Sequence, residues 1–361
     1  MNILYLISTP RTIGGTPKKT LDMIKYSHHK CIVYFWSDDY KEYQALFREA
    51  GAKTYTGTYG RNIFRHVHSI TEIIDKHSID IILTQFSFGE ILGFFVKLLR
   101  PKVKLIVAFV GPLNPPLIKR IILNRFYKRV DAFIYISEYV KKEKKTVFPV
   151  LKKRPGRVIY NGTSLLPHST KAAQFTDHFK ILAVSGLVDW KNIETLIRAV
   201  GIIVHDMNYP RIELTVIGDG PERVNLEHLI ADLKLKEYVA LLGYREDVGD
   251  FLRTSNLFVH PSVAEGFGIA VAEAMMAGLP VIAANAGALP ELIVDGESGL
   301  LVASCDAEKW AEVIVKLMKD PALARKLADN GKRRAFEFFS IERFVSNYET
   351  MYEDVFNGRL I

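Results

Sequence analysis

Cysteine is scarce in this chain, and its scarcity argues against two kinds of structural support. The two cysteines among 361 residues, Cys31 and Cys305, form no Cys-x-x-Cys pair. A disulfide framework and a cysteine-based zinc site are therefore disfavoured, and a reducing, cytoplasmic setting fits. A Walker A sequence is missing, and so is an Asp-x-Asp pair that would hold a metal-bridged diphosphate. We accordingly expect neither a metal nor a cofactor.

Long hydrophobic runs are absent as well. No uncharged apolar stretch reaches the roughly 18 residues that a membrane-spanning helix needs. The apolar residues 1–7 follow no basic segment and are soon followed by Pro10, so we interpret them as a buried strand rather than a signal peptide. The composition is otherwise globular, with 48% hydrophobic and 24% charged residues.

Basic residues are distributed unevenly along the chain. Residues 1–170 carry 28 Lys and Arg against 12 Asp and Glu, whereas residues 171–361 carry 20 against 28. The first part thus has a net charge of +16 and the second −8, which supports two domains. Residues 117–129 mix apolar and basic residues at roughly helical spacing. Such a face can lie on an anionic membrane surface, and a solvated face without a partner is an equal alternative. A nucleic-acid partner is disfavoured because no such motif accompanies the charge.

Short apolar runs alternate with amphipathic helical stretches along the chain, one of which predicts a helix over residues 191–205. The runs are rich in Ile, Val and Leu and are continuous, as strands buried on both faces require. The alternation predicts an α/β fold of two doubly wound parallel sheets, with six strands in each domain. Residues 165–178 are polar and aperiodic, so we interpret them as the linker between a first domain, 1–165, and a second, 178–340. Ligands bind at the carboxyl ends of such strands, so the cleft between the domains is the default site.

Two loops have the composition of anion-binding turns. In residues 13–17, Gly15 lies just before a predicted helix, and an ordinary strand-to-helix turn explains this loop equally well. The second loop, residues 261–268, places Gly266 and Gly268 where a helix begins. Glycine permits close backbone approach, and a helix N-terminus attracts an anion. The second loop is therefore the stronger candidate.

Two glutamates lie at this second helix start. Glu265 is at its mouth, and Glu273 lies one to two turns inside, roughly 10 Å further along at about 1.5 Å per residue. The rest of the helix is small and apolar, which predicts that Glu273 is buried and paired. One carboxylate can then meet a sugar hydroxyl near a phosphate while the other reaches a ribose.

Other polar patterns carry less weight. The run Gly218-Asp219-Gly220 lacks the third glycine of a dinucleotide fingerprint, and we reject that interpretation. Four histidines of the first domain lack the spacing of metal ligands and are interpreted as solvated surface residues: His28, His29, His66 and His68.

These motifs together resemble the retaining glycosyltransferases of family 4, which have the two-domain GT-B fold. The resemblance is strongest between residues 181 and 302 and covers nearly the whole chain. The segment from residue 339 onward resembles the final helix of that family, which implies that residues 341–361 return to the first domain. The resemblance to this family is carried by the segments EGFGIAVAE from Glu265 to Glu273, LTVIGDGPE, LLGYRED, VIYNGT and HPSVAEGFGIAVAEAMMAGLPVIAANAGALPELIVDGESGLLV.

The resemblance implies a role for each matched position. Glu273 would bind the ribose of the nucleotide, and Glu265 would hold hydroxyls of the donor sugar. The glycine turn at Gly266, with the amides of Phe267 and Gly268, would hold the diphosphate or the sugar.

Four further positions complete the implied site. Tyr244 and Arg245 would recognise the base. Gly15 would lie near the diphosphate from the first domain, and Lys191 would neutralise the leaving diphosphate.

One departure from the family pattern concerns phosphate binding. The family usually has a Gly-Arg-Leu run before the lysine, but here the arginine position is Gly186. Either another residue supplies the second cation, for which Arg11 is a candidate, or stabilisation of the leaving diphosphate is weaker. A histidine that is frequent in the first domain's cleft is not evident either, since the matching regions are residues 84–86 and 109–111.

The implied function is transfer of a sugar from a nucleotide diphosphate sugar with retention and without a metal. A UDP-sugar is favoured as donor, and GDP-mannose comes next. The acceptor would be a saccharide or a lipid-linked saccharide, as in surface-polysaccharide or glycoconjugate biosynthesis at the inner membrane face. A sugar-nucleotide epimerase on the same fold and a catalytically inactive nucleotide-sugar-binding subunit are the alternatives.

Overall fold

The chain forms two compact units. A computed structural model describes residues 1–7, 15–37, 41–111, 115–166 and 178–360. The first unit comprises Met1–Gly162 with Ile341–Ile361, and the second comprises Thr163–Ser340. The division lies a few residues before the expected boundary at residue 165, and most of the expected linker, residues 167–177, is outside the described residues.

The first unit is built on a seven-stranded sheet in which every strand pair is parallel. Its strands are β1 (Asn2–Ile7), β2 (Lys30–Phe35), β3 (Lys53–Thr56), β4 (Ile81–Thr84), β5 (Lys104–Phe109), β6 (Ala132–Tyr135) and β7 (Gly156–Val158). The order is β3-β2-β1-β4-β5-β6-β7, so the winding reverses between β1 and β4. The register places Ile3 beside Cys31 on one side and Ile81 on the other.

Helices connect these strands, as parallel pairing requires. They are α1 (Gly15–Tyr26), α2 (Lys41–Glu49), α3 (Ile63–His77), α4 (Ser87–Leu99), α5 (Leu117–Phe126) and α6 (Glu138–Val147). Asn62 caps α3 and Ser137 caps α6, each through a side-chain oxygen that accepts a backbone N–H two or three residues into the helix.

The second unit repeats this plan with a six-stranded parallel sheet. Its strands are β8 (Phe179–Val184), β9 (Ile212–Ile217), β10 (Val239–Leu241), β11 (Leu257–His260), β12 (Val281–Ala284) and β13 (Leu300–Val302). Their order is β10-β9-β8-β11-β12-β13, so the winding reverses between β8 and β11. The carboxyl ends of β8 and β11 therefore mark the place where this sheet is expected to bind a ligand.

The helices of the second unit and the closing helix are α7 (Ile193–Gly201), α8 (Arg223–Asp232), α9 (Val248–Thr254), α10 (Ile269–Ala277), α11 (Leu289–Leu292), α12 (Ala307–Lys319), α13 (Pro321–Phe339) and α14 (Ile341–Phe356). The return of α14 to the first unit is confirmed. Its buried side chains, among them Met351 and Tyr352, join the same hydrophobic core as Tyr5 of β1. Arg157 on β7 adds an ion pair to Asp354 at 2.9 Å.

Three expectations about local structure were wrong. The first sheet has a seventh strand, β3, whose residues Lys-Thr-Tyr-Thr are largely polar and half-buried at the sheet edge. The helix expected over residues 191–205 is a 3-10 turn at Asp189–Lys191, the short helix α7 and a π-helical turn at Ile202–Asp206. His66 is fully buried rather than solvated.

His66 is buried because both ring nitrogens have partners. Its Nδ1 lies 2.8 Å from the hydroxyl of Tyr34, and its Nε2 lies 3.0 Å from the carbonyl oxygen of Gly60. His28 and His68 are exposed, as expected, whereas His29 is half-buried. No helix within the described ranges is long and apolar enough to cross a membrane.

Candidate active site

The site is built around the start of α10, at the carboxyl end of β11. Gly268 precedes the helix with φ 102° and ψ 58°, a left-handed conformation that favours glycine. A Cβ at this position would also approach Leu289 Cδ2 to 2.9 Å. The chain can therefore turn from strand to helix here only with a glycine, and the turn presents the positive end of the helix dipole.

Glu265 lies in this turn and accepts contacts from two sides. Its Oε2 is 3.0 Å from Nε2 of His260, the last residue of β11, and it forms an ion pair with Nζ of Lys191. The carboxylate is 15% exposed and His260 only 3%. Because a carboxylate only accepts hydrogen bonds, Nε2 of His260 carries the hydrogen.

These partners keep Glu265 ionised. Burial alone would raise the pKa of Glu265, but the hydrogen bond from His260 and the positive charge of Lys191 outweigh it and lower the pKa to about 2. Burial lowers the pKa of His260, although the hydrogen bond to Glu265 opposes that shift. At neutral pH the site therefore contains a carboxylate that accepts hydrogen bonds and cannot act as a proton donor.

Lys191 is positioned by the loop that follows β8. Lys191 ends the 3-10 turn, and the next residue, Asn192, has the left-handed backbone φ of 53°. The side chain of Asn192 donates to the carbonyl of Ser304 at 2.7 Å and accepts from the hydroxyl of Thr195 at 2.9 Å. The backbone N–H of Val263 donates to the carbonyl of Trp190 at 2.9 Å, which joins the lysine loop to the glutamate loop.

The loop after β12 supports Glu265 from behind. Gly287 has φ 57°, and a Cβ there would lie 2.4 Å from the carbonyl oxygen of Glu265. The N–H of Ala288 donates to that same oxygen at 2.9 Å. A side chain at position 287 would thus push the glutamate out of its place.

Glu273 lies further along α10 and was expected to be buried, but it is half-buried. The hydroxyl of Thr163 approaches its Oε1 to 3.5 Å. Thr163 is itself held by its N–H, which donates to the carbonyl of Phe339 at 2.7 Å. Phe267 is buried edge-to-face against Phe339, with ring centroids 5.5 Å apart.

Gly218 and Gly220 serve close backbone packing beside this site. A Cβ on Gly218 would lie 1.9 Å from the carbonyl oxygen of Ser185, and one on Gly220 would lie 2.2 Å from that of Leu187. Gly186 is different, because a Cβ there would meet only the carbonyl oxygen of Asp219 at 3.7 Å. Space for a side chain exists at the position where the family pattern has an arginine.

The remaining predicted residues lie apart from the Glu265 contacts. Tyr244 is 68% exposed and follows Gly243, whose carbonyl accepts from the N–H of Gly218 at 2.8 Å. Arg245 forms a two-pronged pair with Asp247, at 2.8 and 2.6 Å. Gly15 begins α1 in the first unit. Residues 13 and 14 and the candidate cation Arg11 are outside the described residues.

Three residues at the site were not singled out from the sequence. Asn192 follows Lys191, His260 begins one of the segments that carry the family resemblance, and Thr163 ends another. The signal that could have identified His260 is its position, because a polar side chain at the carboxyl end of a buried strand needs a hydrogen-bond partner. Among the residues that the structure describes, no group of three or more His, Cys, Asp or Glu side chains could hold a metal ion.

Comparison with known proteins identifies the class of this fold and site. Two family models match the chain, Glycosyl transferases group 1 over residues 168–334 and Glycosyltransferase Family 4 over residues 26–165. HepE of Anabaena, solved in complex with UDP, has the same fold with a TM-score of 0.84 at 21% identity, over 98% of this chain and 100% of HepE. The molecule is a glycosyltransferase with the GT-B fold.

Sequence relatives support the same assignment. An uncharacterised glycosyltransferase of Methanocaldococcus jannaschii is 30% identical over 294 residues, which are 78% of each chain. The N-acetyl-alpha-D-glucosaminyl L-malate synthase of Bacillus anthracis is 31% identical over 184 residues, 50% of this chain. That match spans about half of the Bacillus protein, 48% of its length. This chain belongs to glycosyltransferase family 4, as its motifs indicated.

The low pKa of Glu265 predicts a pH-dependent contribution to stability. The ionised group contributes fully above its ordinary pKa of 4.5, and the contribution is lost as the pH falls towards about 2. Glu265→Gln should therefore cost on the order of 2 kcal/mol of unfolding free energy at pH 6 and progressively less below pH 4.

Urea unfolding in a Trp36→Phe background measures this, because Trp190 and Trp310 then report on the second unit. The exposed Glu297→Gln is the matched control and should follow the wild type at every pH. If Glu265→Gln lowers the free energy of unfolding by the same amount at pH 6 and at pH 3, the assigned charge state of Glu265 is contradicted.

Proposed function

We propose that this chain is a retaining, metal-independent glycosyltransferase that uses a nucleotide diphosphate sugar, preferably a UDP-sugar, with GDP-mannose next. The acceptor is a saccharide or a lipid-linked saccharide in surface-polysaccharide or glycoconjugate biosynthesis. One observation carries the proposal: an ionised, largely buried Glu265 is held by His260 and Lys191 at the start of α10, the helix that also carries Glu273. HepE, which binds UDP, provides a precedent for the nucleotide on this fold.

The chemistry assigned to each group follows from its charge. The Glu265 carboxylate, with its low pKa, accepts hydrogen bonds from hydroxyls of the donor sugar. Lys191 and the backbone N–H groups at the start of α10 stabilise the negative charge that develops on the leaving diphosphate. Glu273 accepts hydrogen bonds from the ribose hydroxyls. Because Lys191 pairs with Glu265, a bound donor makes the lysine share its charge between the carboxylate and the phosphate.

Retention is proposed to occur by attack on the face from which the diphosphate leaves. The bond between the anomeric carbon and the phosphate oxygen breaks, and the bond to the acceptor oxygen forms on the same side. The acceptor's proton passes to the leaving phosphate oxygen. Glu265 is unsuited to donate or relay that proton, because its pKa lies near 2.

Nucleotide binding gives the first test. Thermal unfolding is measured with UDP, GDP, ADP and dTDP, each with Mg²⁺ and with EDTA. We expect UDP to raise the midpoint with or without Mg²⁺, because a ligand of the folded state stabilises by mass action. Glu273→Ala should weaken UDP binding about tenfold or more, whereas the exposed Glu297→Ala should bind like the wild type. A shift that needs Mg²⁺, or one that survives Glu273→Ala unchanged, would contradict the proposal.

Turnover gives the second test. Slow hydrolysis of a UDP-sugar, followed by ¹H NMR of the first anomer released, reports stereochemistry without an identified acceptor. An α-linked donor should release the α-anomer first. Glu265→Gln and Lys191→Met should each lower turnover by about 10²-fold or more, as loss of charge stabilisation does elsewhere. A free C2-epimerised sugar would instead identify an epimerase, and nucleotide binding without turnover on any donor or acceptor would identify a binding subunit.

We also propose that the first unit lies on an anionic membrane surface through α5. Four apolar side chains of this ten-residue helix are exposed, and they occupy adjacent rows along it: Leu117, Ile118, Ile121 and Ile122. Lys119, Arg120 and Arg125 lie on the same helix. Apolar side chains beside basic ones suit the boundary between acyl chains and anionic headgroups.

Vesicle co-sedimentation tests this surface. Vesicles of phosphatidylcholine and phosphatidylglycerol should bind the protein at low salt, and phosphatidylcholine vesicles should bind it weakly. Ile118→Ser/Ile121→Ser should reduce binding about tenfold, while Phe336→Ser, an exposed aromatic of the second unit, should have no effect. Equal losses in both variants, or no binding by the wild type, would exclude α5 as the contact.

A further inference from the structure

The first unit contains a cavity of about 780 Å³ outside the Glu265 site. It lies at the carboxyl ends of β2 and β3, where a doubly wound sheet is expected to bind ligands. Three features of its lining matter: the aromatic residues Trp36 and Phe88, the glycines 57 and 60, and the cations Arg61 and Lys119. Nothing described so far uses this cavity.

One wall of the cavity is aromatic and held in place. The rings of Trp36 and Phe88 meet edge-to-face, with centroids 5.8 Å apart, and Phe88 meets His66 in the same way at 5.7 Å. Gly89 leaves room for the indole, since a Cβ there would lie 2.9 Å from its ring. The indole N–H of Trp36 makes no hydrogen bond to the described residues. An aromatic face with a spare donor is suited to the apolar face and a hydroxyl of a sugar ring.

Another part of the lining is backbone over a buried polar pair. A Cβ on Gly57 would lie 2.0 Å from the hydroxyl of Tyr34, so only glycine fits there. That hydroxyl is bound to His66, whose other nitrogen is bound to the carbonyl of Gly60. His66 thereby fixes the loop between Gly57 and Gly60. The cavity is pre-formed, which lowers the entropic cost of binding a ligand.

Two cations from separate elements line the cavity. Arg61 lies just before α3 and Lys119 lies on α5. Within the described part of the chain neither forms an ion pair. The positive charge of Lys119 acts weakly on the buried Glu90, which accepts from the hydroxyl of Tyr127 at 2.8 Å and is influenced more strongly by Lys144. Burial raises the pKa of Glu90, which favours its neutral form and weakens its electrostatic attraction to Lys119.

We propose that this cavity binds a saccharide phosphate, with the sugar ring against Trp36 and Phe88 and the phosphate between Arg61 and Lys119. That it is the acceptor subsite rests on the proposed function. Arginine matches the geometry of phosphate oxygens, and a second cation from another element balances the second charge. Lys119 also shares α5 with the exposed apolar row, so a phosphate attached to a membrane lipid would reach the cavity from that helix.

Calorimetric titration with N-acetylglucosamine 1-phosphate tests the site directly. We expect it to bind at least tenfold more tightly than N-acetylglucosamine or inorganic phosphate alone. Arg61→Gln/Lys119→Gln should weaken binding about tenfold or more, and Trp36→Leu should also weaken it. The matched control Arg65→Gln/Arg125→Gln removes the same charge from exposed positions on α3 and α5 and should stay within about twofold of the wild type.

Two results would overturn the proposal. One is equal weakening of binding in both double variants. The other is binding of N-acetylglucosamine or inorganic phosphate as tightly as N-acetylglucosamine 1-phosphate. The UDP-induced thermal shift is measured on the same samples, so loss of sugar-phosphate binding with an intact UDP shift refutes this site and spares the proposed function. Vesicles of phosphatidylcholine with a polyprenyl phosphate show whether the natural ligand is attached to a lipid. If these vesicles compete with N-acetylglucosamine 1-phosphate for the cavity, the ligand is lipid-linked. If they do not compete, the ligand is a soluble saccharide phosphate.

Discussion

The need to keep one buried carboxylate charged organises the second unit. Removing Glu265 from water is costly unless its charge is paired and hydrogen-bonded. Its partners come from positions far apart in the chain: Lys191 after β8, His260 at the end of β11, and the backbone at Ala288 after β12. Three strand ends must therefore meet at one carboxylate, and the fold of this edge of the sheet follows from that requirement.

The glycines near the site are explained by the same crowding. Gly287 permits the loop after β12 to touch the backbone of Glu265, and Gly268 permits α10 to begin at once after the glutamate turn. Gly218 permits the loop after β9 to pack against the end of β8. These glycines bring the backbones of several loops together at the place where α10 begins.

Sequence patterns predicted the strands well where burial on both faces makes them continuously apolar. They failed at β3, because an edge strand half-exposed to water can carry Lys-Thr-Tyr-Thr without penalty. They also failed for His66, whose burial depends on Tyr34, a partner 32 positions away that no local pattern reveals. Glu265 was identified, but its bond to His260 was not, because pairing across a turn depends on where strand ends meet. The motifs indicated Glu265 and Lys191, and the packing brings these two side chains into contact.

The charge balance of the two units bears on Gly186. Packing does not explain the glycine there, because a Cβ would meet only one atom, at 3.7 Å. Lys191, the cation expected to neutralise the diphosphate, is already paired with Glu265, and residues 171–361 carry a net charge of −8. Residues 341–361 belong to the first unit, and the second unit alone, residues 163–340, carries 18 Lys and Arg against 24 Asp and Glu. Its net charge of −6 repels a dianionic diphosphate at long range. Gly186 therefore leaves the loops around Lys191 with one positive charge fewer than the family pattern provides.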